Sequence, residues 1–67
     1  MTVDKVKLGT KIFHISSNSI HTIINILNIS DTDREFTYET ELGFRYKISS
    51  IVLQVQIENN YLQIIEY

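Results

Sequence analysis

The sequence predicts an all-β domain, a small antiparallel barrel of five or six strands joined in sequential hairpins. Three observations carry that reading. Of 67 residues, twelve are Ile, six Thr, four Val, four Tyr and three Phe, side chains suited to a pleated, half-buried surface, and Ala is absent. Apolar and polar residues alternate over most of the chain instead of recurring at helical spacing. Polar turn clusters, Ser16-Ser-Asn-Ser19, Ser30-Asp-Thr-Asp-Arg34 and Asn59-Asn60, separate the apolar runs at short intervals. A sheet this small hides its edges most simply by curling into a barrel.

The elements follow in order. Residues 1–7 read as a flexible lead-in to a single domain spanning 1–67. Leu8 to Ile15 is a first strand entered through Gly9. Ile20 to Ile29 is the longest strand and is apolar on both alternation sets, Ile20, Ile24 and Ile26 on one and Ile23, Leu27 and Ile29 on the other. A helix over the same residues would crowd too many β-branched side chains. The next hairpin is over-determined. With Glu41-Leu42-Gly43 as a three-residue loop and Gly43 supplying the positive φ of a bulge, Phe36 faces Ile48, Tyr38 faces Tyr46 and Thr40 faces Phe44. The same register sets Glu39 against Arg45 and Thr37 against Lys47 on the other face. After a corner at Ser49-Ser50, Val52–Ile57 and Tyr61–Tyr67 read as a terminal hairpin about Asn59-Asn60. That pairing buries Leu53, Val55, Ile57, Leu62 and Ile64 on one face and leaves Tyr61, Ile65 and Tyr67 on the other.

The opening Leu8-Gly-Thr-Lys-Ile-Phe-His-Ile15, the long second strand and Phe36 to Ile48 followed by Ser49-Ser50-Ile51 together resemble small SH3-like barrels. These include KOW and Tudor-type modules and short phage and plasmid proteins. The resemblance covers about residues 8 to 51 and implies a barrel that binds a protein or a nucleic acid. SH3-like barrels usually finish with one short strand, where this chain has length for a hairpin. The peptide groove of signalling SH3 domains has no counterpart, since Trp is absent and no acidic loop lies beside paired tyrosines.

A chain of this size buries only about 60% of the surface its unfolded form exposes. With no Cys to form disulfides or thiolate metal sites, oligomerisation or a partner is the remaining supplement. Six Lys and Arg against eight Asp and Glu give a net charge of -2 with the signs interspersed. That is a solvated surface and an unfavourable one for phosphate binding. The opening Met1-Thr-Val-Asp-Lys carries no apolar run, which predicts a cytoplasmic protein.

Candidate chemistry is sparse. His14 and His21 flank one turn and are two metal-capable ligands without Cys or a carboxylate at ligand spacing, so they read as strand-flank histidines. No phosphate loop, nucleophile context or convergent carboxylate pair is present; no catalytic residue, cofactor or metal is expected, and the protein is read as not an enzyme. Phe36, Tyr38, Phe44 and Tyr46 would make a stacking platform for bases, but a chain this short needs most of them as core. Arg45 and Lys47, with Lys5, Lys7 and Lys11, would make a modest basic stripe if the strand ends lay side by side. Tyr61, Ile65 and Tyr67, with Arg45 and Lys47 as a second face, are the expected protein-binding residues. The expected function is a non-enzymatic protein-binding module. Absence of Pro and heavy use of Ile, Asn and Lys suit a phage or mobile-element accessory protein that inhibits a host defence or housekeeping enzyme. A nucleic-acid-binding barrel is the first alternative, and a homo-oligomer with a ligand site between protomers the second.

Overall fold

The structure is a computed structural model that describes residues 2–67. Five strands form one antiparallel sheet: β1 (Lys11–His14), β2 (Ser19–Asn28), β3 (Arg34–Glu39), β4 (Arg45–Ser49) and β5 (Leu62–Glu66), in the order β4-β3-β2-β1-β5. A 3-10 turn, Thr2–Lys5, precedes β1, and a helix α1 (Ser50–Glu58) lies between β4 and β5. The sheet is curled but not closed by hydrogen bonds, so β4 and β5 are its two edges.

The β3–β4 hairpin has the register its sequence dictates: Phe36 against Ile48, Thr37 against Lys47, Tyr38 against Tyr46 and Glu39 against Arg45. Gly43 sits at φ 88° and donates its N–H to the Thr40 carbonyl at 3.0 Å, while Thr40 N–H donates to the Phe44 carbonyl at 2.8 Å. This is a bulged three-residue loop. The β1–β2 turn uses Asn18 at φ 55°, a conformation Asn tolerates.

The double apolar alternation of β2 has a geometric cause. Ile23 pairs with Tyr38 but Asn25 pairs with Thr37, so Ile24 is an extra, bulged residue. A bulge reverses the facing of everything beyond it. Ile23 and Ile26 therefore both turn inward, Ile23 fully buried and Ile26 against Phe36, whereas Leu27 and Ile29 are exposed. A second bulge in β5 at Ile65 does the same against β1.

The terminal hairpin is not formed. Residues 50–58 are helical because both ends carry caps that the strand reading overlooked. The Ser49 hydroxyl accepts the Val52 N–H at 3.2 Å. At the other end Asn60 takes φ 63°, with Asn60 N–H on the Ile57 carbonyl and Tyr61 N–H on the Gln56 carbonyl. That is a Schellman cap, which needs the same positive-φ tolerance as a hairpin turn. Helical spacing then turns Leu53 and Ile57 to the sheet and Ile51, Val52 and Val55 to solvent, so Val55 is not a core residue. Leu62 is buried and Ile64 packs on the core, as expected.

The N-terminal segment is packed, not a loose lead-in. Val3 and Val6 are buried with Ile12, Ile23, Phe36, Leu53 and Leu62. The Arg34 guanidinium fastens them by donating to the Val3 and Val6 carbonyls, and it lies 5.0 Å over the Phe36 ring. Buried Ser50 joins α1 to the β2–β3 turn, donating to Asp33 at 2.7 Å and accepting from Arg34 N–H. Among the described residues no helix is long and apolar enough to cross a membrane.

Two stability outcomes follow from this arrangement. Leu53→Ala should cost about 2–5 kcal/mol by opening a cavity, and Val55→Ser much less, in chemical denaturation; equal losses would restore the strand pairing. Gly43→Val should cost at least ~1 kcal/mol, wholly from φ because an added Cβ there meets nothing within 4 Å. An unchanged melting temperature would contradict the bulged loop.

Candidate functional site

The inward face of the sheet has two halves. One is the aliphatic core beneath α1. The other is a row of rings crossing four strands: His14 on β1, His21 on β2, Tyr38 on β3 and Tyr46 on β4. Centroids are 5.1 Å apart for His14 and His21, 4.8 Å for His21 and Tyr38, and 5.7 Å for Tyr38 and Tyr46, with interplanar angles of 19°, 11° and 35°. These separations approximate the spacing of neighbouring strands. His14, His21 and Tyr38 therefore stack on one another, and Tyr46 lies tilted against the end of the stack. Leu62 pairs with His14 and closes the row on the β5 side. Tyr46 is on edge strand β4, beyond which no further strand of the described residues lies, and is 52% exposed.

The hairpin registers set this row. His14 pairs with Ser19 and His21 with Ile12, which makes the two histidines diagonal neighbours on one face. Tyr38 pairs with Ile23 and is diagonal to His21, and Tyr38 and Tyr46 are directly opposed. A hydrogen-bond chain ties the histidines a second time: His14 Nδ1 to Ser17 Oγ at 2.5 Å, Ser17 Oγ to Ser19 Oγ at 2.7 Å, and Ser19 Oγ to His21 Nε2 at 3.2 Å. Three hydrogen bonds need three protons, and the two hydroxyls supply two. At least one imidazole nitrogen must therefore donate into the chain. Charging both rings would stack two cations.

Burial is the main reason the His21 pKa lies below its ordinary value of 6.5; the neighbouring His14 lowers it further, and Glu41 pulls the other way. Burial also raises the Tyr38 hydroxyl, with Tyr46 adding to it. Glu41 is held over this end of the sheet by accepting the Ile20 N–H at 2.6 Å.

A cavity lies on each side of the row. The smaller, about 280 Å³, runs from the rings to Val52, Leu53 and Gln56 of α1 and to Lys47 and Ile48 of β4. The larger, about 500 Å³, is walled by Ser17, Asn18 and Ser19 of one turn and by Glu41, Leu42 and Phe44 of the other. Leu42 and Phe44 are well exposed at its rim.

The expected site residues are distributed differently from this row. Tyr61, Ile65 and Tyr67 are exposed but follow the β5 edge. Arg45 and Lys47 project from the outer face of the β4 edge, where they pair with Glu39 at 3.0 Å and Glu35 at 3.9 Å. β2 and β3 separate them from Lys11, whose ammonium reaches Thr22, so no continuous basic stripe forms. Of the four aromatics expected in the core only Phe36 is fully buried; Tyr38 is half-buried, and Phe44 and Tyr46 are exposed. The two histidines do meet, but stacked face to face. Among the described residues no group of three His, Asp or Glu side chains is placed to hold a metal. The missed signal was parity. Once Ser16–Ser19 is a tight turn, His14 and His21 must share a face.

No family model, no curated protein and no solved structure matches this chain.

The lowered His21 pKa has a measurable consequence. The unfolded chain takes up the His21 proton at higher pH than the folded chain does. Its contribution to stability is therefore complete above about pH 7, falls as the pH drops through 6.5, and levels off once folded His21 also titrates. The melting temperature should decline between pH 7 and about pH 5, and His21→Phe, which keeps the ring, should flatten that decline. A wild-type melting temperature constant over this range would contradict the assignment.

Proposed function

We propose that this chain is a non-enzymatic protein-binding module whose recognition surface is the ring row with its two flanking cavities. The supporting observation is the row itself, a strip of histidine and tyrosine rings that crosses four strands and ends at exposed Tyr46. Tyrosines backed by stacked rings present large, rigid contact area at little entropic cost, the character of interface hot spots. Exposed Leu42 and Phe44 on one side and Val52 on the other extend the strip with apolar surface.

The placement of charge favours a protein over a nucleic acid. Arg45 and Lys47 are each paired with an acid of β3, Glu39 and Glu35. A base stacked against the rings would find these cations already partly neutralised for its phosphates.

The strand order and the single strand β5 after a helical connection support the SH3-like reading, since the expected terminal hairpin was its main departure. The finer form of the proposal is an accessory protein of a phage or mobile element that occupies and blocks an enzyme. Composition alone supports that form.

Selection of displayed random peptides on the immobilised chain should yield binders whose capture is lost with Tyr46→Ser or Phe44→Ser and kept with Tyr61→Ser or Tyr67→Ser. All four residues are exposed, so the variants should melt as the parent does. Oligonucleotide binding that falls steeply with salt, without peptide capture, would replace this reading by the nucleic-acid one.

A further inference from the structure

We propose that the partner binds by adding an extended strand to the free edge of β4, with an aromatic side chain stacked on Tyr46 and acidic side chains on either side of it. The proposal rests on the protein-binding reading above and specifies how that surface is used.

Three observations carry it. The first is the edge. Thr40 N–H donates to the Phe44 carbonyl, which fixes the phase of the β3–β4 ladder: Tyr46 and Ile48 turn their peptide groups to β3. Arg45 and Lys47 therefore turn theirs outward, where no other strand of the described residues pairs with them. The second is the ring row. It advances one ring per strand from β1 to β4 and stops at the edge with the outer side of Tyr46 open. A fifth ring on an added strand continues the same spacing. In an antiparallel addition the residue opposite Tyr46 falls in a non-hydrogen-bonded pair, where side chains approach most closely.

The third observation is charge, and it selects the occupant. Arg45 and Lys47 alternate with Tyr46 along the edge and remain 68% and 70% exposed despite their ion pairs with β3. Each has an acid on its β3 side, and no strand of the described residues lies on the other. An incoming strand that alternates acidic, aromatic, acidic satisfies both faces at once. The same cations oppose a second copy at this edge, because antiparallel β4–β4 pairing about Lys47 sets ammonium against ammonium. Strand addition takes its affinity from main-chain hydrogen bonds and its specificity from alternate side chains, which is the division seen here.

The test is selection of random ten-residue displayed peptides on the full chain, followed by titration of the enriched peptide in synthetic form. Enrichment of an acidic-aromatic-acidic pattern is expected, and the Arg45 and Lys47 amides should exchange more slowly with solvent deuterium when that peptide is bound. Tyr46→Ser should weaken binding about tenfold or more. The Arg45→Gln, Lys47→Gln double variant should keep the aromatic preference and lose the acidic one. Peptides that bind through the cavities without slowing those amides would overturn strand addition and leave the protein-binding reading standing. Absence of any enriched peptide would overturn both. A chain that light scattering shows to be dimeric, with the Lys47 amide already protected, would place a second copy on this edge and overturn the proposal.

Discussion

Two isoleucines three residues apart, Ile23 and Ile26, cannot face the same side of a regular strand, yet the core requires both. The extra residue at Ile24 resolves this, and much of the molecule depends on it. Before the bulge, β2 presents His21 and Ile23 inward, opposite β1 and the Tyr38 end of β3. Beyond it, Ile26 faces Phe36, the fully buried ring at the centre of the core. The bulge also sharpens the local twist, which lets a ten-residue strand serve both halves of a curled sheet. The ring row and the aliphatic core thus share one strand and one face, divided at the point where its pairing shifts.

The extent to which the chain could be read in advance follows from how many independent signals met at each place. For Phe36 to Ile48 the glycine, the aromatic alternation and the opposed charges of Glu39 and Arg45 allow one register only, and that register is present. In α1 the signals pointed both ways. Leu53, Val55 and Ile57 alternate as in a strand, but Leu53 and Ile57 are also four apart, as on a helix. Asn60 at positive φ serves a hairpin and a helix cap equally well. The capping hydroxyl of Ser49 was the deciding residue, and a cap acts through one hydrogen bond that no periodicity reveals. The ring row was hidden for another reason. It joins residues from three hairpin registers, of which only that of Tyr38 and Tyr46 was determined by sequence.

The row is an unusual use of residues for a domain of this size. His21 is buried and carries a polar ring, yet it costs little because Ser19 satisfies one nitrogen and flat neighbours cover both faces. A Leu or Ile at the same position would pack as well without constraining its neighbours. What the imidazole adds is order: the serine chain fixes the His14 and His21 rings relative to one another, and the stack passes that orientation to Tyr38 and Tyr46. Rigid rings lose little entropy when a partner binds. The polar half of the inner face therefore prepares the aromatic surface at the edge of the sheet.

The helix and the open edge are consequences of one choice. A sheet of five short strands can hide its core by closing β4 onto β5, or it can leave the gap and cover the core with something else. Here nine residues of α1 lie over it, with Leu53 and Ile57 supplying the side chains that closure would otherwise have brought together. The connection from β4 is made at once, Ser49 ending the strand and capping the helix. Covering the core in this way leaves the outward peptide groups of β4 unpaired, and an unpaired edge is a liability for any small soluble domain. Arg45 and Lys47 answer that liability, since like cations on two such edges would repel one another.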